Sequence, residues 1–196
     1  MKFTLKIYSA VVIFALLATA SAGGNLEDGI EALNTGDFKK AYELFLIEAK
    51  KGNVSAQTNL GTLYAIGQGV PHNDIEAVKW FRKAASQGDV ISQRNLGVHY
   101  AKGLGVQQND KEAAKWFTMA AKQGDPLSQI SIGIMYELGR GISKNPVVAW
   151  AWYALAKRNG IETAQSYIDS IQEKMSSDEI NVAKQIAEQF HSEISD

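Results

Sequence analysis

The sequence predicts an all-α protein, a solenoid of antiparallel helix pairs, on three observations. The first is a 36-residue period. Residues 53–88, 89–124 and 125–160 align without a gap, and ten columns carry one residue in all three copies. They are the columns of Gln57, Gly61, Tyr64, Gly67, Gly69, Asn73, Ala77, Trp80, Ala84 and Gly88. A period of about 20–50 residues marks an array whose units bury their apolar faces only by stacking on neighbours. The second observation is helical spacing inside each copy. Ala56, Leu60, Leu63 and Tyr64 form one stripe; Ala77, Trp80, Phe81 and Ala84 form another. The third is that no alternating strand pattern, linker or low-complexity segment interrupts the chain, which reads as about ten helices and no sheet.

Residues 1–22 stand apart. Lys2 and Lys6 precede an apolar run, Ile7–Ala18, and Ala20-Ser21-Ala22 has the small-x-small pattern of a cleavage site. These are the parts of a secretory signal peptide. The apolar run is shorter than the roughly 20 residues a spanning helix needs. Export to the periplasm or beyond, with no membrane span in the mature form, is therefore the expectation.

Residues 23–52 read as an N-terminal capping half-repeat. Ala41, Phe45 and Gly52 fall in the columns of Ala77, Phe81 and Gly88, while Leu44 stands where tryptophan would be. In the first full unit the spacing predicts a helix near 54–66 and a second near 74–87. Gly61 lies inside the first, at a cost of about 1 kcal/mol relative to alanine, so its recurrence predicts close approach of the partner helix. Gly67 and Gly69 sit in the connecting loop, free to take positive φ.

The third copy shows where the second helix starts. Its Asn145-Pro146 places proline at the first helical position, where the missing N–H would be unbonded anyway. Asn145 then caps the helix, and Asn73 and Asn109 do the same by alignment. Residues 161–196 read as closing helices. Ala164, Gln165 and Ile168 match the columns of Ala56, Gln57 and Leu60, and Ser176 with Glu179 forms a capping box before a last amphipathic stretch.

Composition excludes several functions. The 196 residues include no cysteine, which rules out disulfides and thiolate metal sites. Without residues 1–22 the chain holds 18 basic and 21 acidic side chains, lacking the basic footprint of a nucleic-acid binder. His72, His99 and His191 fall at unrelated positions, and no His-Glu-x-x-His, Gly-x-Ser-x-Gly or Ser/Thr-x-x-Lys pattern occurs. The Gly-x-Gly pairs follow helices rather than strands, so they read as turns and not as phosphate loops. Asn53-Val54-Ser55 fits a glycosylation sequon that carries meaning only in a glycosylating pathway. Trp80, Trp116 and Trp152 read as core, whereas Trp150 lies outside the identical columns and is open to an exposed contact role.

The pattern Ala/Ser-x3-Leu-Gly-x2-Tyr-x2-Gly-x-Gly-Val, followed by Asp-x2-Ala-x2-Trp-Phe-x2-Ala-Ala-x2-Gly, resembles the Sel-one-like repeat, a branch of the tetratricopeptide superfamily. Repeats 53–88 and 89–124 match nearly every column; 125–160 departs at Pro146 and Lys157. The resemblance implies a right-handed α-α superhelix that holds other proteins together, with no cofactor, no metal and no chemistry of its own. It also implies that the first helices line a concave face, at Ser55, Thr58, Thr62 and Ala65, then Ile91, Arg94, Val98 and Ala101, then Leu127, Ile130, Ile134 and Glu137. That face runs from small and polar to apolar, and suits an extended or helical peptide. The closing helices offer a competing expectation, since Ile180, Ile186 and Phe190 need an apolar surface and could fold across its apolar end. Alternatives for the whole chain are a hydrolase of β-lactam or cell-wall substrates, which the missing nucleophile pattern disfavours, and a self-associating spacer.

Overall fold

The computed structural model describes residues 24–195; the signal-peptide reading of 1–22 lies outside them. Among the described residues there are ten α-helices and no strand. They fall into two compact units, one ending at Ile91 and the other beginning at Ser92.

The first unit holds α1 (Gly24–Asn34), α2 (Phe38–Lys50), α3 (Val54–Ile66) and α4 (Asp74–Ala85), each packed on the next. Polar contacts fix their directions. Gln57 near the start of α3 accepts a hydrogen bond from Gln87 Nε2 just beyond α4, at 2.8 Å. Tyr42 of α2 and Tyr64 near the end of α3 bring their hydroxyls to 3.0 Å. Start meets end in both cases, so neighbours are antiparallel. Leu26, Phe45, Leu60, Leu63 and Trp80 make the buried core.

The recurring mid-helix glycine has the packing reason its recurrence predicts. A Cβ on Gly61 would stand 2.7 Å from the Phe81 ring. Gly29 meets Phe45 in the same way at 2.8 Å, which extends the device into the N-terminal half-repeat. The loop glycine Gly69 has φ +73 and lies so close to α2 that a Cβ would be 2.2 Å from the Phe38 carbonyl oxygen. Both its backbone angle and its neighbour therefore demand glycine.

The second unit takes in most of α5 (Val90–Lys102), then α6 (Asp110–Lys122), α7 (Pro126–Leu138), α8 (Pro146–Arg158), α9 (Ala164–Gln172) and α10 (Ser177–Ser195). Gly97 faces Phe117 and Gly133 faces Tyr153, at would-be Cβ distances of 2.6 and 2.5 Å. Asn109 Oδ1 accepts from Glu112 N at 3.1 Å and Asn145 Oδ1 from Val148 N at 3.1 Å; in the first unit Asn73 Oδ1 accepts from Glu76 N at 3.1 Å. The three N-caps are as the Asn-Pro pair predicts. The capping box is present too, with Glu179 N donating to Ser176 Oγ at 3.2 Å and Ser176 N to Glu179 Oε2 at 2.8 Å. Asn53 is itself a cap, accepting from Ala56 N at 3.0 Å, so the sequon's amide is engaged in starting α3.

One expectation needs correction, and two that were open receive an answer. The second helix of the first repeat ends at Ala85, not near 87, because Ser86 to Gly88 form the turn and Gly88 has φ +95. Trp150 is not an exposed contact residue; it is buried, with Nε1 donating to Gln172 Oε1 at 3.2 Å, because α9 packs over α8. The last helix is directed mainly to second helices. It packs on α8 and reaches α6, with Phe190 stacked on Trp152 at 4.3 Å between centroids and Arg158 bonded to Glu188 at 3.0 Å. Trp80 and Trp152 are buried and Trp116 half-buried, in keeping with a core role.

Candidate functional site

Residues identical in every repeat are occupied with construction. Gln57 Nε2 donates to the Ala49 carbonyl and Gln129 Nε2 to the Ala121 carbonyl, both at 3.2 Å. The side-chain oxygens of Gln57, Gln93 and Gln129 accept from Gln87, Gln123 and Asn159 at 2.8, 2.7 and 3.0 Å. Each buried amide thus ties its helix to the end of the second helix of its own pair, and Gln57 and Gln129 are seen to reach the helix before as well. The period exposes this column, but nothing in the sequence assigns it that role.

The first-helix face is built from columns that differ between repeats, and several of its residues turn inward. Thr58 is buried, its hydroxyl 2.9 Å from Asp89 Oδ1 and 3.1 Å from the Val54 carbonyl oxygen. Thr62 donates its hydroxyl back to the Thr58 carbonyl at 3.0 Å, and Ile91 is half-buried. In the second unit Arg94 forms an ion pair with Asp125, the two side chains only 11% and 8% exposed. Asp125 also caps α7 through Ser128 N at 2.8 Å. Thr58–Asp89 and Arg94–Asp125 have the same spacing of 31 residues. Both straps run from a first helix to the residue that precedes the next one.

Val98 and Ala101 are half-buried against the cluster of Ala113, Phe117, Ile132 and Trp152. Leu127 is half-buried. Ile130 and Ile134 are half-buried and pack against a cluster drawn from α8, α9 and α10 that includes Trp150, Tyr153, Ile168 and Ala183. Glu137 follows one turn later on the same side of α7 and accepts from the Tyr153 hydroxyl at 2.7 Å. Tyr153 is buried and stacks on the half-buried ring of Tyr167 at 5.1 Å between centroids. Burial, then the hydrogen bond to the Glu137 carboxylate, push the Tyr153 hydroxyl far above the usual phenol range, so it stays a donor. Sequence reasoning placed Glu137 on the face but missed Tyr153 and Tyr167. The available signal was tyrosine at 153 where the other repeats have Phe81 and Phe117.

Among the described residues no group of three His, Asp or Glu is placed to hold a metal ion. A cavity of about 220 Å³ opens beside Lys122, Trp152, Phe190, Glu193 and Ile194, smaller than the roughly 300 Å³ at which small-molecule sites begin.

A model of the Sel1 repeat family matches residues 54–89, 90–125 and 126–161, one residue later than the register read from the sequence. The comparison with curated proteins returned no match. Among solved structures, a Sel1 repeat protein from Oxalobacter formigenes is 34% identical with a TM-score of 0.70, over 73% of this chain and 59% of that one. A protective antigen present in uropathogenic Escherichia coli strains, displaying an SLR fold, is 30% identical with a TM-score of 0.74, over 80% of this chain and 33% of that one. The chain spans less than two thirds of either protein.

Proposed function

This chain belongs to the Sel1 repeat family, whose members are typically scaffolds for contact between proteins, and on that premise we propose that it is an exported, non-enzymatic scaffold. It holds a protein or peptide partner on its first-helix face, in envelope signalling, envelope maintenance or host contact. One observation carries the reading. The columns constant between repeats are spent on internal packing, whereas the first-helix face varies: Thr58, Arg94, Ile130; Thr62, Val98, Ile134; Ala65, Ala101, Glu137. A face that served only packing would repeat like the rest. The segment at 1–22 supports export, and no helix among the described residues is long and apolar enough to cross a membrane.

The burial of Arg94 decides how to test this. Replacing it would disturb an ion pair within the fold and confuse loss of binding with loss of structure. A photo-crosslinking amino acid at Thr62 or Ile134, compared with one at exposed Lys79 on α4, reads the face directly. Adducts from the first two positions in the producing cell support the proposal; adducts only from Lys79, or none, overturn it. Export has its own readout. The mature protein should begin at Gly23, and a chain that retains residues 1–22 after fractionation contradicts that part.

A further inference from the structure

We infer that the partner presents a basic side chain, arginine above all, to Glu137, with an aliphatic residue beside it for Ile130 and Ile134. This rests on the peptide-binding reading of the same face and states which peptide it selects.

The scaffold has no need of a carboxylate at this place. The matching positions in the other repeats are Ala65 and Ala101, and both helix pairs form without a charge there. Glu137 is half-buried, follows Ile130 and Ile134 along α7, and receives one hydrogen bond, from a neutral hydroxyl. That bond orients the carboxylate but does not neutralise it. Among the described residues no cation pairs with Glu137, whereas the Asp125 carboxylate has Arg94 and the Asp110 carboxylate has Arg140 at 2.9 Å. A carboxylate held among aliphatic and aromatic groups, with a donor on one oxygen, favours a cation brought from outside.

The surrounding groups select the form of that cation. Tyr153 joins the carboxylate to the Tyr167 ring stacked on it. A guanidinium is planar and offers a carboxylate so oriented a fork of donors, which an ammonium does not. The isoleucines one and two turns earlier on α7 then call for an aliphatic neighbour in the peptide. Charge complementarity and this order of groups specify a short motif, one aliphatic and one arginine.

The test uses the full mature chain and fluorescent twelve-residue peptides of alternating aliphatic and serine residues, with Arg, Lys, Gln or Glu at the centre. Binding is read by fluorescence polarisation at low and high salt. The arginine peptide should bind about 10- to 100-fold tighter than the glutamine peptide, the span of one charge-assisted contact, and the gap should narrow with salt. Glu137→Gln keeps an oxygen for the Tyr153 hydroxyl, so it should keep its melting temperature while the preference falls to within about twofold. Peptides that bind without charge preference, or an arginine preference that survives in Glu137→Gln, overturn this inference and leave the peptide-binding reading standing. Failure of every peptide to bind removes both.

Discussion

The first and third repeats share a frame and differ in what they attach to it. In α3 and α4, Gly61 lies against Phe81, the position one turn after Thr62 is Ala65, and Thr58 is hydrogen-bonded to the residue before α5. In α7 and α8, Gly133 lies against Tyr153, the matching position is Glu137, and Ile130 stands where Thr58 does, half-buried against an apolar cluster instead. Glycine, amide and N-cap columns survive unchanged because each meets a demand that recurs with every helix pair: close approach, a buried donor, unpaired amides of a first turn. The other columns meet demands that arise once. Repetition within the chain thus separates architecture from specialisation with no other sequence in hand.

The largest effect expected from breaking this comparison lies in the strap column. Arg94→Ala would leave the Asp125 carboxylate buried without its cation, a loss of about 3–5 kcal/mol. Thr58→Val removes only one of the contacts around Asp89 and should cost about 1 kcal/mol. Urea denaturation of the two variants measures the difference. Since a domain's total stability is about 5–15 kcal/mol, Arg94→Ala should unfold at visibly lower denaturant. Equal midpoints would show that the two straps are energetically alike despite their chemistry.

A smaller effect is expected at the glycines. Alanine in place of Gly61 or Gly133 gains about 1 kcal/mol of helix propensity and loses about 1–3 kcal/mol to overpacking. The Tyr153 ring is held through its hydroxyl to Glu137, a hydrogen bond that phenylalanine at 81 cannot make. Gly133→Ala should therefore lower the thermal midpoint further than Gly61→Ala. The reverse order would mean that the Tyr153 tether bears little load.

How far the sequence reaches follows the same division. Helix count, antiparallel order, the asparagine caps, the positive-φ loop glycines and the capping box of α10 were all readable, because each is a local rule repeated in register. The roles of Gln57 and Gln129 were not, since a buried amide's partners are backbone carbonyls on another helix that no side chain advertises. Arg94 and Thr58 were placed on a face by periodicity, yet periodicity carries no account of the Asp one helix pair later that draws each inward. The partner of Trp150 and the course of α10 along α8 were left open, because the closing helices occur once.

The smallest quantity is a coupling energy, and it tests the comparison most directly. Moving the third repeat's pair into the first, Phe81→Tyr alone buries a hydroxyl where the position aligned with Glu137 is Ala65, and should destabilise by about 1–3 kcal/mol. Adding Ala65→Glu supplies the acceptor that Tyr153 has in Glu137. If the two hairpins are the same frame, the double variant recovers part of that loss, with a coupling of about 0.5–1.5 kcal/mol in a double-mutant cycle. Chemical denaturation of the four proteins gives the number. A coupling of zero would mean that the Tyr–Glu contact depends on the particular surroundings of Tyr153, the stacked Tyr167 ring among them, rather than on the frame the repeats share.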